Sequence, residues 1–125
     1  MSSTYSGALI GESLRPSAVL ENIPLTAVKI YRAELGVAEA GQPACWTVIE
    51  FEVPGARAAQ LAEVLSGMLV TEGGWYCDFR SGAEVFVVFG GRVFRYPYGD
   101  QAGRAQAEEY ARSMGVPPAQ LDWPG

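Results

Sequence analysis

Residues 73–100 read GGWYCDFRSGAEVFVVFGGRVFRYPYGD and hold more than half of the chain's aromatic side chains. Three strand-like runs, 75–80, 84–89 and 92–97, are separated by Ser-Gly-Ala and by Gly-Gly. A Gly-Gly pair favours a two-residue hairpin turn, and a three-residue loop that contains glycine favours a second hairpin. The segment therefore predicts a three-stranded antiparallel meander.

The two turns also predict which side chains share a face. Closure at the Gly-Gly turn places Val87 opposite Phe94, and closure at 81–83 places Phe79 opposite Val85. The predicted core face then carries Trp75, Cys77, Phe79, Val85, Val87, Phe89, Phe94 and Tyr96. The second face carries Tyr76, Asp78, Arg80, Glu84, Phe86, Val88, Val93 and Arg95. Because a shift of one residue exchanges the faces of a strand, this assignment depends on both turn lengths.

The remaining elements follow from periodicity. Residues 26–35 and 44–53 alternate between apolar and polar side chains, as is typical of strands. Residues 56–69 place their apolar side chains at helical spacing, and Asp100 is a suitable N-cap for a second helix over 101–114. The predicted element order is β-β-α-β-β-β-α.

Two amphipathic helices on one face of an antiparallel sheet of about five strands give a two-layer α+β sandwich, ferredoxin-like in general character. The length of 125 residues suits a single domain over 1–125 that ends in a tail over 116–125, and Trp123 is expected to pack this tail against the domain. In the N-terminal segment, 1–24, the sequence GALIG favours a short strand. This segment is also a candidate cover for the face that the helices leave open.

Composition and charge narrow the possible partners. Apolar residues make up 49% of the chain, and the net charge of −5 comes without a run of Lys or Arg. Neither a nucleic acid nor an anionic membrane surface is therefore an expected partner. Two cysteines and an N-terminus without a basic segment predict no signal peptide and a cytoplasmic protein. The usage of Ala, Gly, Glu and Arg is typical of a bacterial protein from a GC-rich genome.

The chain has no histidine, the commonest metal ligand and general base. We therefore predict no metal site. No glycine-rich phosphate loop or dinucleotide fingerprint occurs, and we predict no cofactor. Cys45 and Cys77 lie on the predicted core faces of their strands and are interpreted as buried, unreactive thiols.

The second face of the sheet is the candidate site, because its apolar side chains form a patch that a lone monomer rarely exposes. Trp46 from the strand over 44–53 joins this face. The predicted ligand- or partner-binding residues are Trp46, Tyr76, Asp78, Phe86, Val88, Val93 and Arg95. A second copy of the chain, the segment 1–24 or a ligand could cover the patch.

Two functions fit this face. The first is an interaction module that forms a homodimer or docks a partner through the open sheet. The second is a small-molecule binding protein or enzyme, with Asp78, Tyr76 and Glu50 as candidate acid–base groups. Asp78 would serve as a base if desolvation raised its pKa, whereas an exposed cross-strand ion pair with Arg95 would contribute little.

Overall fold

The computed structural model describes residues 3–34 and 42–125. The strands are β1 (Thr4–Ile10), β2 (Thr26–Glu34), β3 (Cys45–Pro54), β4 (Cys77–Arg80), β5 (Glu84–Phe89) and β6 (Arg92–Pro97). The helices are α1 (Ala58–Met68) and α2 (Gln101–Ser113), and short 3-10 turns occupy Gly11–Ser13, Gly55–Arg57 and Pro118–Gln120. The predicted α+β class with an antiparallel sheet and two helices is confirmed. The loop predicted over 36–43 lies mostly outside the described residues.

The N-terminal strand is an inner strand of the sheet. The six strands run in the order β2-β3-β1-β4-β5-β6, so β1 lies between β3 and β4. The short strand predicted from GALIG is therefore confirmed, although it starts earlier, at Thr4. Because β1 lies in the plane of the sheet, this part of the N-terminal segment covers neither face. A Cβ atom at Gly7 would lie 2.2 Å from the carbonyl oxygen of Asp78, so β4 approaches β1 too closely for another residue.

The register of the meander is partly as predicted. β5 and β6 pair as expected, with Val87 opposite Phe94. β4 and β5 differ from the prediction by one residue, since Phe79 lies opposite Phe86 rather than Val85. The turn takes the extra residue because the Ser81 hydroxyl accepts hydrogen bonds from the backbone N–H groups of Ala83, at 3.1 Å, and Glu84, at 3.2 Å.

This shift exchanges the faces of β4 relative to β5, and the two helices lie on opposite faces of the sheet. Helix α1 packs on the face that carries Cys77, Phe79, Phe86 and Val88, which we call the α1 side. Helix α2 packs on the face that carries Val85, Val87, Phe89 and Tyr96, which we call the α2 side. The prediction of two helices on one face is therefore wrong. The uninterrupted apolar run of β5 is typical of a strand that is covered on both faces.

Helix α2 and the C-terminal tail pack on the β4–β6 half of the sheet. The α2 side of β1, β3 and β2 is consequently more open, and a groove runs along it between Glu50 and Arg80. At the far edge, β2 is exposed along almost its whole length. The site lies where the covered half of the α2 side meets the open half.

Candidate functional site

The sheet divides the predicted site residues into two groups. Trp46, Tyr76 and Asp78, together with the candidate base Glu50, lie on the α2 side. The other predicted binding residues are Phe86, Val88, Val93 and Arg95, and they belong to the α1 side. The one-residue shift between β4 and β5 causes this separation.

On the α1 side, the two predicted site residues of β5 do not line an open surface. Phe86 and Val88 are 2% and 0% exposed, since both belong to the core beneath α1. Arg95 lies over the Phe86 ring, 5.1 Å from its centroid, and forms an ion pair with Glu84 at 2.8 Å. The predicted pairing of Arg95 with Asp78 is therefore wrong, because the two side chains are on opposite faces.

On the α2 side, Trp46, Tyr76 and Asp78 line a small cavity, which we call the tail pocket. Its volume is about 190 Å³, and it lies where the C-terminal tail meets β1 and β4. The lining residues are Ala8, Ile10, Trp46, Gly74, Trp75, Tyr76, Asp78, Gln120 and Asp122. Three strands, the segment before β4 and the tail therefore contribute to one pocket.

The tail is held in place by three anchored side chains. Trp123 is 2% exposed, and its indole N–H donates to the Tyr96 hydroxyl at 2.8 Å. The Arg104 guanidinium donates to the backbone carbonyls of Leu121 and Trp123. The Tyr76 hydroxyl donates to the carbonyl of Gln120. These bonds confirm the predicted packing of Trp123 and bring the tail to the pocket.

Aromatic rings form the walls of the tail pocket. The ring centroids of Trp46 and Trp75 are 5.3 Å apart, and the ring planes are tilted by 57°. The Trp46 indole N–H donates to the carbonyl of Pro43 at 2.9 Å, and the Tyr76 hydroxyl is bonded to the tail. Because these two polar groups already have partners, Trp46 and Tyr76 contribute mainly aromatic surface to the pocket.

The side-chain amide of Gln120, which lines the pocket, also has a hydrogen-bond partner. The Gln120 side-chain NH₂ donates to the Gln42 side-chain carbonyl at 2.9 Å. The Gln42 NH₂ in turn donates to the backbone carbonyls of Gly73, at 2.8 Å, and Gly74, at 3.2 Å. This relay ties the tail to the turn before Trp75, and it occupies the NH₂ groups of both glutamines.

Asp78 is the polar group of the pocket whose altered pKa lies near neutral pH. Burial, and next to it the charge of Asp122, raise the pKa of Asp78 to about 6, although Arg80 and Arg104 act in the opposite direction. Burial also raises the pKa of Tyr76, with Asp78 and Asp122 adding to the effect. Asp78 therefore changes charge near neutral pH, while Tyr76 stays protonated.

A shallower groove of about 660 Å³ continues from the tail pocket, with Ala8 and Asp78 shared between the two. Glu50 and Asp78 both pair with Ala8, so they flank its single methyl group in one cross-strand row. Two strand spacings put their backbones roughly 10 Å apart. The structure thus brings Glu50, Glu52 and Asp78 to one groove, where they form an acidic surface.

The two thiols lie apart from this surface. Cys77 is fully buried on the α1 side, and burial raises the pKa of its thiol well above the usual value. The prediction of a buried thiol is confirmed for Cys77. Cys45 is only partly buried, and its sulfur accepts a hydrogen bond from the Arg32 guanidinium at 3.1 Å.

Sequence reasoning missed Trp75, Gln120 and Asp122 as pocket residues. Trp75 was placed on the core face by extending the alternation of β4, but the strand begins only at Cys77. The predicted packing of Trp123 against the domain could have indicated that Gln120 and Asp122 lie at the pocket. A tail anchored by one tryptophan must bring its neighbours in sequence to the same surface.

Comparison with known proteins gives no match among family models, curated proteins or solved structures. Within residues 3–34 and 42–125, no helix is long and apolar enough to cross a membrane. The same residues contain no group of three or more Cys, Asp or Glu side chains that could hold a metal ion. Function is therefore inferred from the tail pocket and its surroundings.

Proposed function

We propose that the chain is a small-molecule binding protein and that its site is the tail pocket. The observation that carries the proposal is the Asp78 carboxyl, which lines a cavity whose walls include Trp46 and Trp75. Aromatic walls with a few polar groups and an altered pKa are the usual features of a ligand site. The adjoining groove offers room for a part of the ligand that extends beyond the pocket.

The electrostatics of Asp78 support this proposal. The ion pairs within 4.0 Å among the described residues join Arg95 to Glu84 and Arg104 to Glu108, and neither includes Asp78. A partly buried carboxylate without an ion pair costs free energy, which a bound ligand could offset. Groups that are costly to stability and altered in pKa concentrate at functional sites.

A substitution that fills the pocket tests the proposal. Ala8→Leu adds a larger side chain where the pocket and groove meet, and Ala27→Leu adds the same side chain at an exposed position of β2. We expect native mass spectrometry of protein from its own host to show a small bound mass that denaturation releases. The mass should be present in the wild type and in Ala27→Leu but absent from Ala8→Leu.

Tryptophan fluorescence gives the test a second measurement. A low-mass extract of the host should change the emission of Trp46 and Trp75 in the wild type but not in Ala8→Leu. If the wild type neither retains a mass nor responds to the extract, the chain is not a small-molecule binder. A bound mass that survives in Ala8→Leu would place the site elsewhere.

A second candidate function is self-association through β2. Val28 and Ile30 are 56% and 63% exposed on this nine-residue strand at the edge of the sheet. An exposed edge strand with apolar side chains is a ready template for pairing with another chain, and a second copy is the commonest partner. This candidate keeps the predicted homodimer but moves its interface from the sheet face to the sheet edge.

Sedimentation of the wild type and of Ile30→Glu tests the edge. We expect a dimer for the wild type and a monomer for Ile30→Glu, because the new charge would be buried in the pairing. Val19→Glu is the control, since Val19 is 62% exposed but lies outside the sheet. A monomeric wild type at every concentration would rule out the homodimer.

We also propose a cytoplasmic, bacterial protein, which the two free cysteines support. The acid–base roles of Asp78, Tyr76 and Glu50 stay predictions. A pKa of about 6 suits Asp78 for proton transfer near neutral pH. If the protein converts the ligand found in the pocket, and Asp78→Asn abolishes this turnover, the protein is an enzyme.

A further inference from the structure

We infer that the ligand of the tail pocket is a small organic cation that carries a methylated ammonium group. The inference rests on the proposed function, because it names the class of ligand for the same site. Three observations carry it: the polarity of the lining, two tryptophan rings over which no cation of the described residues lies, and the charges around the pocket.

The lining accepts hydrogen bonds but has few donors left to give. Its polar side chains belong to Trp46, Trp75, Tyr76, Asp78, Gln120 and Asp122, and the indole N–H of Trp75 is a donor that a ligand could use. The N–H of Trp46, the hydroxyl of Tyr76 and the amide NH₂ of Gln120 already donate to protein carbonyl groups. None of the lining residues is Lys or Arg. A positively charged ligand matches this surface, whereas an anion would find no charged partner.

Among the described residues, the tryptophan rings of the pocket lack the neighbouring cation that six other aromatic rings of the protein have. Lys or Arg side chains lie 4.7–5.4 Å from the ring centroids of Tyr31, Phe86, Phe94, Tyr98, Tyr110 and Trp123. In the part of the chain that the structure describes, no such cation lies over Trp46 or Trp75. Tryptophan is the best ring for this interaction, and aromatic cages are the known way to bind methylated ammonium groups.

The charges around the pocket point in the same direction. Asp78 and Asp122 both line it, and the charge of Asp122 adds to the rise that burial causes in the pKa of Asp78. Glu50 and Glu52 add two more carboxylates along the groove, with Arg80 as the cation on its lining. A bound cation would relieve the repulsion between these carboxylates, which a neutral ligand of the same shape would not do.

The size of the cavity restricts the ligand to a compact head group. Drug-sized ligands occupy pockets of roughly 300–1,000 Å³. The tail pocket, at about 190 Å³, is smaller, and its opening into the groove lets a short substituent extend past Ala8. A trimethylammonium group with a short polar arm meets both conditions.

Choline and its neutral carbon isostere, 3,3-dimethyl-1-butanol, form the decisive pair of probes. Each is titrated into the full chain at constant ionic strength while tryptophan fluorescence is recorded. We expect choline to saturate the signal and the isostere to bind at least about tenfold more weakly, because shape is equal and only charge differs. Acetate should cause no change.

Variants assign this difference to particular side chains. Asp78→Asn should weaken choline binding by about tenfold and leave the isostere unchanged, since it removes charge but keeps shape. Trp46→Leu should weaken both probes. Glu63→Gln makes the same carboxyl-to-amide change at an exposed position of α1 and should alter neither.

The outcomes separate this inference from the function on which it rests. Equal binding of choline and the isostere would overturn the cation but keep a small-molecule pocket. The same holds if neither probe binds but protein from the host carries a different mass that Ala8→Leu loses. If neither probe binds and no mass is retained, both the cation and the small-molecule function are overturned. Choline binding that survives Asp78→Asn unchanged would overturn the cation site at this carboxyl.

Discussion

Strands β5 and β2 each hold five apolar residues but have opposite surroundings. β5 reads EVFVVF, and every residue after Glu84 is buried, because α1 covers one face and α2 the other. β2 reads TAVKIYRAE and is exposed at every position except Ala33, since it forms the edge of the sheet. The difference lies in what packs on each strand rather than in the content of apolar side chains alone.

The contrast explains where the candidate site is found. A half of the sheet that is covered on both faces is a firm support, and the open half gives a ligand access. The tail pocket lies between them, where β1 and β4 pair through Ala8 and Asp78. Sites supported by packed strands hold their side chains more firmly than sites on loops.

Truncation of one apolar side chain on each strand should give the largest difference in the free energy of unfolding. Phe86 is stacked on Phe79 with ring centroids 5.0 Å apart, and it is buried beneath α1. We expect Phe86→Ala to lower the free energy of unfolding by about 3–5 kcal/mol. Ile30→Ala, at an exposed position of β2, should change it by no more than about 0.5 kcal/mol.

Urea unfolding followed by circular dichroism measures both values. The two variants share one host and one method, so their difference is more reliable than either value alone. A loss below about 1 kcal/mol for Phe86→Ala would show that the α1 side is open at this position, as the sequence had predicted.

A smaller change in the free energy of unfolding, of opposite sign, is expected at Asp78, which lies at the boundary between the two halves of the sheet. Burial raises the pKa of Asp78 from 3.8 to about 6 in the folded protein. Between about pH 4 and 6 the folded protein keeps this proton, which the unfolded chain loses, so stability falls as pH rises through that window. Asp78→Asn removes the charged form and should stabilise the protein at about pH 8 by up to about 2 kcal/mol.

The pH dependence distinguishes this effect from a change in packing. The gain should disappear near pH 4, where the wild type is also uncharged at this position. Besides burial, the charge of Asp122 in the tail raises the pKa of Asp78, and the charges of Arg80 in β4 and Arg104 in α2 lower it. The neighbours that are uncharged in this pH range are Tyr76, Cys77 and Tyr96. Equal stability of Asp78→Asn and the wild type at both pH values would mean that the Asp78 carboxyl is well solvated.

Much of this fold could be predicted from the sequence, because local signals specify local structure. The Gly-Gly turn gave the pairing of β5 with β6 correctly, and Asp100 caps α2 through the backbone N–H of Ala102 at 3.1 Å. The placement of β1 between β3 and β4 was not predictable in this way. It depends on pairing between residues far apart in the sequence, and no turn signal reports it.

The candidate site was predicted only in part, for one physical reason. A hydroxyl that bonds two backbone N–H groups lengthens the turn at Ser81 by one residue, and this moves Phe86 and Val88 away from Asp78. Trp46, Tyr76, Asp78 and Glu50 remained together because β1 and β3 bring them to the same side. The run EVFVVF could have indicated that both faces of β5 are covered, since an apolar run without alternation is typical of burial on both faces.

The smallest expected effect tests the corrected face directly. Arg95 was predicted as a site residue, but its side chain is 56% exposed and pairs with Glu84 on the α1 side. We expect Arg95→Gln to lower the free energy of unfolding by less than about 1 kcal/mol, since exposed ion pairs contribute little and are screened by salt. The fluorescence response to choline should stay that of the wild type, because the sheet separates Arg95 from the tail pocket. A weakened response would return Arg95 to the site and contradict the register between β4 and β5.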